Sequence, residues 1–186
     1  HTRLQGDWSS DVCSPDLRVR DDQLGAIFAH DIRAVGAHFD TPAATSGPST
    51  ARCLILVTPD AQRTMCTYLG ASVSLHPDDL DLDLVRQAKV LYLEGYLWDA
   101  DDAKQAFITA AEVMRQSGGQ VALSLSDAFC VDRHRQSFQE LVDGHVDILF
   151  ANEMEITSLY EANSFEEAVA QVRGRCQVAE IGRAHV

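Results

Sequence analysis

Asn152 and Glu155 stand three residues apart, directly after a short apolar run, in Val146-Asp-Ile-Leu-Phe-Ala-Asn152-Glu-Met-Glu155. That spacing sets an amide and a carboxylate on neighbouring positions of a first helical turn. Hard oxygen donors of this kind suit a hydrated Mg²⁺ and the phosphates it accompanies. The same residues also spell a helix start, with Asn152 as N-cap and Glu155 reaching back to close a capping box. Spacing alone leaves both readings open. Two more apolar runs end in polar punctuation: Lys89 to Glu94 stops at Glu94-Gly95, and Gln120 to Ser126 runs into Asp127. If the three strands lie parallel, these groups share the carboxyl edge, where open α/β sheets bind ligands. Asp127 taken alone is more often a helix or turn cap than a ligand. Arg63 follows a turn, where its guanidinium fork matches phosphate oxygens. Its alternative role is an edge-strand charge that blunts association.

Other chemistries find little support. Five cysteines are widely spaced and form no Cys-x-x-Cys pair, so neither a zinc ribbon nor a thioredoxin-like site is indicated. They are expected to be reduced and mostly buried, as in a cytoplasmic protein. His134 and His145 lack metal-ligand spacing and read as surface or cap residues. Cys130 near Asp132 and His134 is a weak nucleophile–base pairing. Gly-x-Gly-x-x-Gly, Walker-type and Gly-x-Ser-x-Gly patterns are absent, which disfavours a Rossmann-type oxidoreductase.

The elements that must position these residues are legible. A chain of 186 residues, 46% apolar and 23% charged, suffices for one domain with a core. No run approaches the ~18 apolar residues of a membrane span. The net charge of −13 argues against nucleic-acid and anionic-membrane partners. Residues 22–36 read as an amphipathic helix with Leu24, Ile27, Phe28, Ile32 and Val35 on one stripe. Residues 41–50 read as loop. Residues 52–58 and 63–69 are β-rich runs around a Pro59-Asp60 turn, an antiparallel hairpin. Helix and strand then alternate: helix 77–88, strand 89–94, helix 101–117, strand 120–126, helix 132–142, strand 146–151, helix 153–160 and helix 164–173. That alternation predicts an α/β fold with a parallel sheet covered by helices.

Together these residues resemble the ribokinase-like, PfkB family of carbohydrate and nucleoside kinases, most of all its adenosine-kinase-like branch. The resemblance rests on Asp22-Gln-Leu-Gly25, on Leu56-Val-Thr-Pro-Asp-Ala-Gln-Arg63-Thr-Met65 within residues 47–70, and on Leu93-Glu-Gly-Tyr-Leu-Trp98. Residues 124–135 and 147–156 complete it, in order. It implies a three-layer α/β sandwich, incomplete here, with a mainly parallel sheet and a small β lid at about residues 50–70. It implies ATP and Mg²⁺ as cofactors and a nucleoside or sugar as the small-molecule partner, with lid strands that mediate dimers in some members. Asn152 and Glu155 match the family's Asn-x-x-Glu motif, tied to metal and phosphate handling. Asp127 takes the place of an Asp after a central strand, and Arg63 that of a lid arginine near the transferring phosphate.

The sequence departs from the family at both ends. It holds no early glycine pair and no Gly-Ala-Gly-Asp segment, so no catalytic Asp of that kind lies within it. Residues 1–17 and 180–186 read as non-native, sequencing-adapter-like tracts, leaving 18–179 as a partial kinase domain. The expectation is no turnover by this chain alone. The rival is a non-catalytic α/β domain that binds a metabolite at the same edge.

Overall fold

The computed structural model describes residues 18–182. The non-native reading of residues 1–17, and Cys13 with it, lies outside them. The chain divides after Leu75 into two compact units.

In the first unit, helix α1 (Gln23–Ala34) starts where Asp22 accepts the Gly25 amide, the N-cap bond that ends an extended approach. Its apolar stripe is present but open. Phe28 packs edge-on against Phe39 at 5.5 Å, while Leu24, Ile27 and Val35 stay exposed. Strands β1 (Arg52–Val57) and β2 (Arg63–Tyr68) form the expected antiparallel hairpin, paired from Arg52↔Tyr68 to Val57↔Arg63. The Thr58 amide donates to the Gln62 carbonyl at the turn. Nearly every residue of the ribbon is exposed. That overturns the expectation of mostly buried cysteines: among the described residues Cys66 is exposed, Cys53 and Cys176 are half-buried, and only Cys130 is buried.

The second unit is built on a four-stranded parallel sheet in the order β3 (Val90–Glu94), β4 (Gln120–Ser124), β5 (Ile148–Asn152) and β6 (Val178–Gly182). Helices α3 (Asp101–Gln116), α4 (Ala128–His145), α5 (Glu153–Tyr160) and α6 (Phe165–Val172) fill the crossovers. Sequential parallel strands joined by right-handed crossovers put their helices on one face. Leu91, Leu93, Val121, Leu123 and Leu149 are buried, while Val90, Tyr92, Phe150 and Val178 are open. Trp98 anchors the core beside the sheet, stacked on Phe138 at 5.4 Å and near Phe107 at 5.7 Å. Its indole N–H donates to Ser137 at 2.8 Å.

Three elements differ from the sequence reading. The helix expected over 77–88 is a short 3-10 turn (Pro77–Asp79) followed by α2 (Leu82–Gln87). The break comes at Asp81, whose carboxylate accepts the amides of Asp83 and Leu84 and starts a new helix. Helix α4 is longer than expected because Asp127 caps it a turn earlier, and it bends at His134 (φ −127°, ψ 25°). Residues 178–182 form β6, in register with β5 from Ile148↔Val178 to Asn152↔Gly182. Its residues are mostly exposed, so apolar patterning carried little signal there.

Candidate phosphate and metal site

The carboxyl edge of the second unit's sheet gathers the polar strand ends. At β5, Asn152 Oδ1 accepts the Glu155 amide at 2.9 Å. Glu155 returns the bond twice, its Oε2 accepting the Asn152 amide at 2.9 Å and its Oε1 the Asn152 side-chain amide at 2.7 Å. The capping box is thus complete. It also locks a carboxylate that is only 6% exposed. Burial pushes the Glu155 carboxyl above its ordinary range. The Asn152 amide opposes that shift, and the negative charges of Asp127 and Glu94 add to it.

At β4, the chain turns through Ser126 at φ +68°, a left-handed conformation uncommon for serine. The hydroxyl of Ser126 donates to Glu94 Oε1, and the Tyr92 phenol donates to Glu94 Oε2 at 2.9 Å. Asp127 Oδ1 accepts the Phe129 amide at 2.6 Å and caps α4. Two residues after Glu94, Tyr96 has its phenol pushed up by burial and then by Asp127, Glu94 and Glu155. The structure therefore brings Glu94, Asp127, Asn152 and Glu155 into one acidic field.

Arg63 belongs to the first unit, at the exposed start of β2. Sequence reasoning missed Tyr96, although its place directly after a polar strand end was a usable signal. It also missed the strained Ser126, which nothing in the sequence betrays.

The histidines and Cys130 take structural positions. His134 Nε2 lies 2.7 Å from Asp99, which also accepts a forked bond from Arg133. His145 is the last residue of α4. The Cys130 thiol donates to the Gly95 carbonyl at 3.4 Å, and burial pushes it up to about 11, so it is no nucleophile.

Among the described residues, no three His, Cys, Asp or Glu side chains are grouped to hold a metal directly. The donors present still fit one kind of ion. One buried carboxyl, Glu155, repelled by the half-buried Asp127 and Glu94, favours a cation that keeps its own water shell, as Mg²⁺ does. Glu155 and Asn152 would meet such an ion through its waters.

A parallel sheet with this polar carboxyl edge, accompanied by a small antiparallel hairpin, is the α/β fold of ribokinase-like kinases. The chain belongs to the pfkB family of carbohydrate kinases, whose family model matches residues 17–183. It is similar to the adenosine kinase of Sinorhizobium meliloti, 48% identical with a TM-score of 0.85 over 90% of this chain and 51% of that one. A "probable sugar kinase protein" of Rhizobium etli CFN 42 is 47% identical with a TM-score of 0.85, over 89% of this chain and 51% of that one. A fructokinase of Solanum tuberosum is 28% identical over 103 residues, covering 54% of this chain and 32% of the relative. The chain thus spans about half the length of these solved relatives and about a third of the curated one. No helix among the described residues is long and apolar enough to cross a membrane.

Proposed function

We propose that the whole protein is an ATP-dependent kinase that transfers the γ-phosphate to a hydroxyl of an adenosine-like nucleoside or a sugar. This chain supplies one side of the phosphate site. The observation that carries the reading is Glu155, a carboxylate buried at the carboxyl edge beside two further acids. The two N–H bonds from Asn152 hold this carboxylate but leave the repulsion from Asp127 and Glu94 unanswered. A hydrated Mg²⁺ arriving with ATP would offset it, and when bound would neutralise charge on the transferring phosphate. Asn152 fixes the Glu155 carboxylate and Asp127 adds charge from the neighbouring strand end; Arg63 is proposed, by the family resemblance, as a separate phosphate contact. The likeness to the S. meliloti adenosine kinase favours a nucleoside acceptor.

The catalytic base belongs to the family's Gly-Ala-Gly-Asp segment, which this sequence does not contain. The chain alone is therefore expected to release no ADP above a blank, while still binding Mg²⁺ and ATP weakly. The protein acts in the cytoplasm on small molecules, without nucleic-acid or membrane partners.

The test is Glu155→Gln in the longer protein. We expect the Mg²⁺ concentration for half-maximal rate to rise about tenfold or more, the usual effect of losing an outer-sphere partner. Acceptor KM should stay within a factor of about two. An unchanged Mg²⁺ dependence would remove Glu155 from the metal's surroundings.

A further inference from the structure

The hairpin β1–β2 is a two-stranded ribbon with almost no buried side chain of its own. Such ribbons are marginal in isolation. Its direction must therefore be set at its root, and the root is unusually well tied. Thr50, two residues before β1, is only 5% exposed. Its amide donates to Asp22 Oδ2 at 2.9 Å, and its hydroxyl donates to Asp22 Oδ1 at 2.7 Å. The same hydroxyl accepts the Arg20 amide at 3.0 Å. Asp22 Oδ1 also caps α1 through the Gly25 amide at 2.8 Å. One carboxylate thus serves a helix start and a strand approach 28 residues away.

Two glycines make the packing around this knot feasible. A Cβ on Gly25 would stand 2.1 Å from the Arg20 carbonyl oxygen. At the other strand's exit, Gly70 takes φ +53°, and a Cβ there would stand 2.2 Å from the Ser49 oxygen. That oxygen accepts the Ala71 amide at 2.9 Å, which joins the outgoing root to the incoming one.

We infer that Asp22 and Thr50 are a positioning pair that clamps both roots of the hairpin to the first turn of α1. The ribbon then moves with α1 as one piece, and Arg63 at the start of β2 is carried at a fixed distance from that helix. The meaning of this for catalysis rests on reading the hairpin as the kinase lid, but the mechanical statement does not.

Hydrogen exchange on the chain itself tests the clamp. Thr50→Val keeps the shape and removes the hydroxyl, leaving a half-buried carboxylate oxygen and the Arg20 amide without it. Exchange of the amides in residues 52–57 and 63–68 should quicken roughly tenfold. Thr50→Ser should restore the slow exchange. Asp22→Asn can still cap α1 through its side-chain oxygen, but turns an N–H toward the Thr50 amide. Residues 23–34 should then keep their protection while the ribbon loses it. The amides of α3 and α4 report that the second unit stays folded. Equal ribbon exchange in Thr50→Val and the parent chain would overturn the inference. So would equal exchange in Thr50→Ser and Thr50→Val, because volume and not the hydroxyl would then matter. Neither outcome bears on whether the longer protein is a kinase.

Discussion

Glu155 is the residue on which the candidate site turns, and its titration gives it a measurable signature. Burial and the charges of Asp127 and Glu94 raise its carboxyl above the unfolded value of about 4.3. Between those two values the folded chain holds a proton that the unfolded chain releases. Stability from this group is therefore highest at low pH and falls as pH rises through the window. Urea melts of the parent chain and Glu155→Gln across pH 4 to 7 (roughly the range above the unfolded value) should show a steeper loss with pH in the parent. Parallel curves would mean that the carboxylate is already compensated. Ser126 offers a second test at this scale. Its left-handed backbone costs about 1 kcal/mol, which glycine would not pay. Its hydroxyl bond to Glu94 is charge-assisted and contributes about 1.5–3 kcal/mol. Ser126→Gly and Ser126→Ala both lose the bond, but only the alanine keeps the strain. The glycine variant should be the more stable of the two by about 1 kcal/mol in denaturant melts, with both below the parent.

At the scale of elements, the cap of α4 separates a structural duty from a chemical one. Asp127→Ala removes the acceptor for the Phe129 amide and should cost about 1 kcal/mol. Asp127→Asn keeps the cap and removes the charge, so its stability should stay within about 0.5 kcal/mol of the parent. If Asp127 also serves phosphate binding, the asparagine variant of the longer protein should lose activity despite its intact fold. Retained activity would leave Asp127 as a cap alone. The same elements mark what the sequence could and could not say. Parallel strands and their helices were legible because buried strands read as apolar runs between periodic helices, as in Gln120–Ser124 and Ile148–Asn152. The helix starts at Asn152 and, as one of two readings, Asp127 were legible from side-chain chemistry. Strand β6 was not, because an edge strand with exposed residues carries no alternation. The acidic field of Glu94, Asp127 and Glu155 was legible only as far as one sheet edge. The burial of Glu155 and the bend at Ser126 depend on how distant segments pack, which spacing along the chain does not encode. The Asp22–Thr50 tie was invisible for the same reason, since 28 residues separate its ends.

For the molecule as a whole, two opposing surface properties govern behaviour in solution. A net charge of −13 repels like chains. Against it stand two apolar surfaces: the hairpin, with Leu54, Leu56, Val57 and Met65 more than half exposed, and the open sheet face of Val90, Tyr92, Phe150 and Val178. Exposed apolar patches of this kind drive association. Salt shortens the reach of the repulsion, from about 14 Å at 0.05 M to about 4 Å at 0.5 M, while leaving the apolar attraction in place. Sedimentation velocity should therefore show a mass that rises with protein concentration and with salt. The two surfaces predict different products. Two ribbons packed apolar face to apolar face make an isologous contact, which stops at a dimer. Contact through the open sheet face then adds species beyond that dimer. Leu54→Lys with Leu56→Lys puts charge on one face of the ribbon and should return a dimer to monomer at low salt. Tyr92→Ser with Phe150→Ser should leave the dimer and reduce only the larger species. If the sheet-face pair abolishes the dimer and the hairpin pair does not, the hairpin is not the dimer interface.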